Sequence, residues 1–256
     1  MNSIERRWRQ FGTGISFALF GLGGLAMAVT LFPVLHLVYR DPVRRTAAAQ
    51  RAVHGTWRWF VWVMVSMRVI DFEVEGGDLL QNESGTLVIA NHPSLIDVVL
   101  IMSLMNRTQC VVKRGVWVNP FMRGVVRTTG YIPNLGDPEK LLGDCVAALQ
   151  TGNNLVLFPE GSRTIPGEKP RMQRGFANIA IRANVPVRLV AVSCTPPTLL
   201  KGEPWYRSPL RRPLFRVRVC ERLDMTTFNA TGVPSRAARD LSAYVARRFE
   251  EISAHA

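Results

Sequence analysis

The sequence predicts an α/β fold: a mixed, largely buried sheet flanked by helices, with an N-terminal membrane-embedded helical segment. Three observations predict it. Short apolar runs without polar alternation recur along the chain, segments of helical periodicity separate them, and a long uncharged stretch precedes them all. Unbroken apolar runs suit strands covered on both faces, and alternation of strands with helices suits a sheet between helical layers. The 256 residues are enough for one such domain with an appendage and too few for two large ones.

Between Gln10 and Tyr39 there is no acid, lysine or arginine, and residues 15–38 are almost wholly apolar, long enough to cross a bilayer at about 20 residues. Arg6, Arg7 and Arg9 precede this stretch and Arg40, Arg44, Arg45 and Arg51 follow it, so flanking charge gives no clean orientation. Basic residues on both sides suit a span or a hairpin dipping into one leaflet, bent at Gly21, Gly23 and Gly24 or at Pro33. A cleavable signal ending at Ala26-Met27-Ala28 is the rival, opposed by an apolar run that continues about ten residues beyond it. The aromatic segment 57–70 suits two readings. Trp57, Trp59 and Trp62 can sit at a lipid–water interface, or the segment is a buried core helix. These features divide the chain into a membrane-associated region, 1–71, and a catalytic domain, 72–256.

Within that domain the run 86–90 reads as a buried strand, with Gly85 before it and Asn91-His92-Pro93 after. Similar runs lie at 110–112, 155–158 and 187–192, and helical patterns at 95–105, 139–150 and 171–184. Residues 215–219 alternate apolar with basic, the pattern of a half-buried strand near a sheet edge, and 235–252 reads as a closing amphipathic helix.

Composition narrows the partners. Hydrophobic residues make up 47% of the chain and charged residues 20%, which supports a packed core and excludes disorder by composition. A mean hydropathy of +0.08 is too low for a polytopic membrane protein. The net charge of +13 calls for an anionic partner: nucleic acid, lipid head groups or an acidic carrier protein. Only Lys113, Lys140, Lys169 and Lys201 are lysines, so arginine, which grips phosphates bidentately, dominates the basic residues. Cys110, Cys145, Cys194 and Cys220 stand singly, without a CxxC pair or histidines at ligand spacing, so neither a metal site nor a disulfide framework is expected.

Two clusters carry chemistry. His92 follows a buried strand and Asp97 comes five residues later; on a regular helix the two would point about 140° apart, so they meet only if His92 lies in the turn before the helix. Asn91 as a cap and Pro93 in a first turn suit that arrangement. A carboxylate accepting the Nδ1 proton would leave Nε2 as a general base. The second cluster, Pro159-Glu160-Gly161-Ser162-Arg163-Thr164, sets an acid, a glycine and an arginine at another strand end. No G-x-S-x-G, P-loop or G-x-G-x-x-G is present, which argues against an α/β-hydrolase and against nucleotide binding.

Asn91-His92-Pro93-Ser94-Leu95-Ile96-Asp97 resembles the N-H-x-x-x-x-D block of the lysophospholipid acyltransferase family, the 1-acylglycerol-3-phosphate acyltransferases and their relatives. Phe158-Pro159-Glu160-Gly161-Ser162-Arg163 resembles that family's F-P-E-G-[ST]-R block, in the expected order and separation. Weaker matches are Lys113 with Pro120-Phe121, Gly130 and Ile132, and Val185-Pro186-Val187. The resemblance covers residues 86–192, about two-fifths of the chain. Two positions depart from it: Gly136 stands where the family's second block carries an arginine, and Leu189 where the fourth carries a second proline.

The resemblance implies transfer of a fatty acyl group from a thioester, on coenzyme A or acyl carrier protein, to a hydroxyl of a lysolipid acceptor, without cofactor or metal. It implies His92 as the base, Asp97 as its orienting partner, and Glu160, Gly161, Arg163 and Lys113 as substrate-binding residues. The implied setting is the inner membrane, with the catalytic domain facing the cytoplasm and membrane lipids as partners. Gly136 motivates an alternative acceptor without phosphate, such as a lyso-aminolipid. A non-catalytic membrane scaffold and a nucleic-acid binder are rival classes. The second rests on Arg207, Arg211, Arg212, Arg216, Arg218 and Arg222, which form no recognisable nucleic-acid module, so no nucleic-acid partner is expected.

Overall fold

The computed structural model describes residues 2–164, 172–230 and 232–254. The chain opens with α1 (Asn2–Val29), α2 (Leu31–Val38) and α3 (Pro42–Ser66), then runs through β1 (Asp71–Glu75), α4 (Gly77–Gln81), β2 (Leu87–Ala90), α5 (Asp97–Met102), β3 (Thr108–Lys113), α6 (Arg114–Val118) and α7 (Arg123–Thr128). It continues through β4 (Ile132–Asn134), α8 (Pro138–Gln150), β5 (Asn154–Leu157), α9 (Gly175–Ala183), β6 (Val187–Thr195), β7 (Leu214–Leu223), α10 (Met225–Asn229) and α11 (Pro234–Ala254).

The seven strands form one sheet in the order β1-β7-β6-β2-β5-β3-β4. Five of them, β6 through β4, run parallel, while β7 is antiparallel to β6 and β1 is parallel to β7. The sheet is therefore mixed. All four residues of β2 are buried, because helices cover both faces. Leu87 and Ile89 join the cluster that includes Phe176 of α9 and Leu241 of α11, whereas Val88 and Ala90 join the one that includes Phe60 and Met64 of α3.

The N-terminal helices thus form much of one layer over the sheet. On α3, Trp57, Phe60, Val61 and Met64 are buried at helical spacing while Trp59 and Trp62 are exposed, so the aromatic segment has one core face and one open face. Helix α1 lies on this layer: Phe20 stacks on Trp57 at 5.1 Å and meets Phe60 edge-on at 5.4 Å. Residues Ser3–Val38 form one stretch long and apolar enough to cross a membrane. Helix α1 runs unbroken through Gly21, Gly23 and Gly24; the helical break falls at Thr30 and the chain reverses before Asp41, whose carboxylate caps α3 by accepting from Val43 N at 3.0 Å. Gly24 serves close approach instead of a bend, since a Cβ there would stand 2.7 Å from Phe121 O. Pro33 lies in the first turn of α2, where its missing N–H leaves no helical bond unmade.

Other boundaries moved. The helix expected from Leu95 begins at Asp97, because the four residues after His92 form a turn. Arg171, the first residue of another expected helix, lies outside the described residues, and α9 begins at Gly175. Strand β7 is second from the edge, covered by β1, whose Glu73 and Glu75 pair with Arg216 and Arg218 at 2.8 and 2.7 Å. Of the arginine cluster 207–222, Arg207, Arg212 and Arg222 also lie within 3.5 Å of carboxylates, so most of that charge is neutralised locally.

Candidate active site

Parallel α/β sheets gather reactive groups beyond the carboxyl ends of their strands. Here β2 and β5 are neighbours in register, Ile89 beside Leu157, so the two motif blocks leave the sheet side by side. Where β2 ends, Asn91 extends it with its side chain: Nδ2 donates to Val192 O at 2.8 Å and Oδ1 accepts from Val192 N at 2.7 Å. Asn91 is therefore a strand lock on β6, not the helix cap its residue type suggested. This lock sets where His92 emerges.

The turn after His92 brings Asp97 back beneath it. His92 Nδ1 and Asp97 Oδ2 are 2.9 Å apart, and Ser94 N–H donates to the same oxygen at 2.6 Å. The turn is tied to the β6–β7 loop, with Ser94 Oγ donating to Thr198 O at 3.0 Å and Leu95 N–H to Leu199 O at 3.2 Å.

The second block grips the histidine from the other side. Phe158 stacks on the imidazole at 4.2 Å. Glu160 Oε1 accepts from His92 N–H at 3.2 Å, Thr164 N–H donates to His92 O at 2.9 Å, and Thr164 Oγ1 donates to the other Glu160 oxygen. Both main-chain polar groups of His92 are thereby held by the block that follows β5. Gly161 has φ +67°, a left-handed conformation that favours glycine, and a Cβ there would displace the flexible end of Gln173.

The Asp97 side chain is fully buried, its Oδ1 has no hydrogen-bond partner among the described residues, and burial pushes its carboxyl up while the His92 and Ser94 bonds and the Arg163 charge pull it back. An ionised buried carboxylate with one unsatisfied oxygen gains most from positive charge beside it. With the Nδ1–H tautomer fixed by Asp97, the lone pair of Nε2 is free to take a proton, and the ring keeps 18% of its surface open. Burial also pushes Glu160 up. The thiols of Cys110, Cys145 and Cys194 are pushed up to about 12, so they are not thiolates near neutral pH.

The residue profile of the acyltransferase family matches positions 71–193, from the first residue of β1 into β6, and so contains both blocks. Residues 71–193 are similar to the acyltransferase family. Among relatives it is 25% identical over 151 residues to a chloroplastic 1-acyl-sn-glycerol-3-phosphate acyltransferase of Arabidopsis thaliana, covering 56% of this chain and 42% of that one. It is 28% identical over 188 residues to a putative 1-acyl-sn-glycerol-3-phosphate acyltransferase of Caenorhabditis elegans, covering 70% and 62%. The chain spans less than two thirds of the length of these curated relatives. Its fold is that of the crystal structure of the 1-acyl-sn-glycerophosphate acyltransferase PlsC from Thermotoga maritima, with a TM-score of 0.74, 20% identity, and coverage of 99% of this chain and 98% of that one.

Within the matched region, His92, Asp97, Glu160 and Gly161 come together as one site. Lys113 does not touch them: it ends β3, two strands from β2 and about 10 Å away laterally, exposed at the same end of the sheet. Arg163 is turned partly to the protein, its Nη1 donating to Leu199 O and Leu200 O, both at 2.9 Å. Gly136, at the position of the family arginine, has φ +97° and open space around it. In sequence Asn91 reads as a cap and Phe158 as a member of the second block; their contacts with Val192 and the His92 ring, and the contribution of the 198–201 loop, carry no local signal.

Proposed function

We propose that this protein is a membrane-associated O-acyltransferase that moves a fatty acyl group from a thioester, on coenzyme A or acyl carrier protein, to a hydroxyl of a lysophosphatidic-acid-like lysophospholipid. The observation that carries the reading is the His92–Asp97 pair, with the ring stacked on Phe158 and its main chain held by the Glu160–Thr164 turn. As the acceptor oxygen attacks the thioester carbonyl, its proton passes to His92 Nε2, and the imidazolium is stabilised by Asp97. Collapse of the tetrahedral intermediate breaks the C–S bond, and the proton returns from Nε2 to the leaving thiolate. The products are an ester and a free thiol, and no protein thiol takes part.

The membrane reading rests on α1. One side of this helix is tied to the domain, through Arg9 Nη2 to Pro209 O and Leu210 O, Gln10 Nε2 to Tyr206 O, and Trp8 Nε1 to Met67 O. Away from these ties, Ile4, Phe11, Leu22 and Val29 form an exposed apolar stripe. A helix so tied supports contact with lipid through its outer face; the proposed setting is the cytoplasmic side of the inner membrane, from which the protein takes acceptor and acyl chain.

The test is acyl transfer by purified protein in mixed vesicles, with acyl-coenzyme A and acyl carrier protein donors against lysophosphatidic acid and lyso-aminolipid acceptors, and products identified by mass spectrometry. Phosphatidic acid formation that depends on His92 is expected. No transfer from either donor to any acceptor, or an equal rate in His92→Ala, would overturn the reading.

A further inference from the structure

The β6–β7 loop is held against the site more firmly than a connecting loop requires. The Thr198 carbonyl accepts from Ser94 Oγ, the Leu199 carbonyl accepts from Leu95 N and from Arg163, and the Leu200 carbonyl accepts from Arg163 as well. Leu199 is buried and adopts φ +54°, a left-handed conformation that a leucine keeps only where its surroundings impose it. The residue these contacts deliver is Lys201. Its Nζ lies 3.2 Å from Ser162 Oγ, at the apex of the turn that grips His92.

Lys201 is exposed, and among the described residues no carboxylate pairs with it. The nearby Glu203 is taken by Arg207 at 3.1 Å, and both oxygens of Glu160 are taken by His92 N–H and Thr164 Oγ1. Many other cations of this chain do pair with acids. An ammonium beside a hydroxyl, with Nε and Nη2 of Arg163 unpartnered among the described residues, offers an anion several donors from one side.

We infer that Lys201, together with Ser162 and the remaining N–H groups of Arg163, binds the phosphate of the acceptor and so selects a phosphate-bearing lysolipid over a neutral one. Lys201 is a specificity-determining residue for the reaction proposed above, on which the inference rests. It supplies the charge that Gly136 does not.

The experiment measures binding without any thioester, so it stands apart from turnover. Isothermal titration calorimetry follows short-chain lysophosphatidic acid, below its micellar concentration, and the monoacylglycerol of the same chain, with full-length wild type, Lys201→Met and Lys201→Arg. Loss of one charge-assisted contact weakens phosphate-ligand affinity by about 10- to 100-fold. The monoacylglycerol should lose nothing, and Lys201→Arg should recover most of the loss. In turnover, KM for lysophosphatidic acid should rise in Lys201→Met with kcat little changed. Unchanged phosphate-ligand affinity in Lys201→Met, an equal loss for both ligands, or no preference of wild type for the phosphate would overturn the inference. A Lys201-dependent phosphate preference in a protein that transfers no acyl group would uphold the site and overturn the proposed activity instead.

Discussion

Gly124 on α7 and Ala28 on α1 are the contact at which the N-terminal helix closes on the domain: a Cβ built at Gly124 would stand 2.5 Å from that of Ala28. Only hydrogen fits there. The same helix is held by main-chain carbonyls of the β6–β7 loop near its other end, so α1 is fixed at two places along its length.

Gly124→Val should therefore separate the helices. Overpacking of this kind costs about 1–3 kcal/mol. A lower urea midpoint at unchanged slope would report it, and an unchanged midpoint would mean that α1 does not pack on α7 in solution.

Deletion of residues 1–40 should remove the apolar stripe and leave α3, which begins at Pro42 and supplies Trp57, Phe60 and Met64 to the core. The truncated protein should keep the far-ultraviolet signature of its sheet, expose the face that Phe20 covers, and lose most of its flotation with anionic vesicles. Flotation equal to that of the full chain would assign membrane binding to other surfaces.

His92→Ala should lose about 10²- to 10⁴-fold in kcat, the usual contribution of a positioned base, with little change in melting temperature. Asp97→Asn should lose less. Its amide oxygen can still accept from the His92 ring and Ser94, but the charge that stabilises the imidazolium is gone. Steady-state thioester consumption measures both, and near-wild-type turnover in His92→Ala would remove the histidine from the mechanism.

Arg163→Ala should free the carbonyls of Leu199 and Leu200 and loosen the loop that carries Lys201. Hydrogen bonds from a charged donor contribute about 1.5–3 kcal/mol, and partial exposure puts this pair near the lower end. Faster hydrogen exchange at the Leu95 amide, which donates to Leu199 O, is the local readout, and KM for a phosphate acceptor should rise with it. Arg163→Lys should recover part of the loss, because a shorter ammonium reaches the carbonyls less well. Unaltered exchange and KM in Arg163→Ala would refute the role.

Burial holds the Glu160 carboxyl above the ordinary carboxylate range in the folded protein. Its ionised form costs stability, in full above the folded value, and the cost disappears below the unfolded value of about 4.3. The contribution of this group to stability therefore rises as pH falls through that window. Glu160→Gln keeps an acceptor for His92 N–H and offers Thr164 Oγ1 a donor in place of an acceptor, a reversal the hydroxyl can accommodate, while removing the titration. The variant should be at least as stable as wild type near neutral pH, with an advantage that shrinks toward about pH 4 in paired denaturation curves. An advantage that grows on acidification would contradict the sign.

Much of this protein is legible in short stretches of sequence. The buried strands at 86–90, 155–158 and 187–192, the long apolar helix and the two turn blocks each follow from a local pattern of residue types. The meeting of His92 with Asp97 also follows, because five residues and one turn suffice to join them. The tertiary structure alone decided the rest. The same five to ten residues at 57–64 suit lipid or core until the sheet beneath them selects Trp57, Phe60 and Met64 for burial. Strand β1, with acids at Asp71, Glu73 and Glu75, and the short β4 carry no apolar run to announce them, and they exist because β7 and β3 have open edges to pair. Asn91 reaches Val192, Arg163 reaches Leu199 and Lys201 reaches Ser162 across 101, 36 and 39 positions of chain. The physical reason is common to all three: side chains that bond to distant residues are placed by strand order and loop path, and neither is written in the spacing of neighbours along the chain.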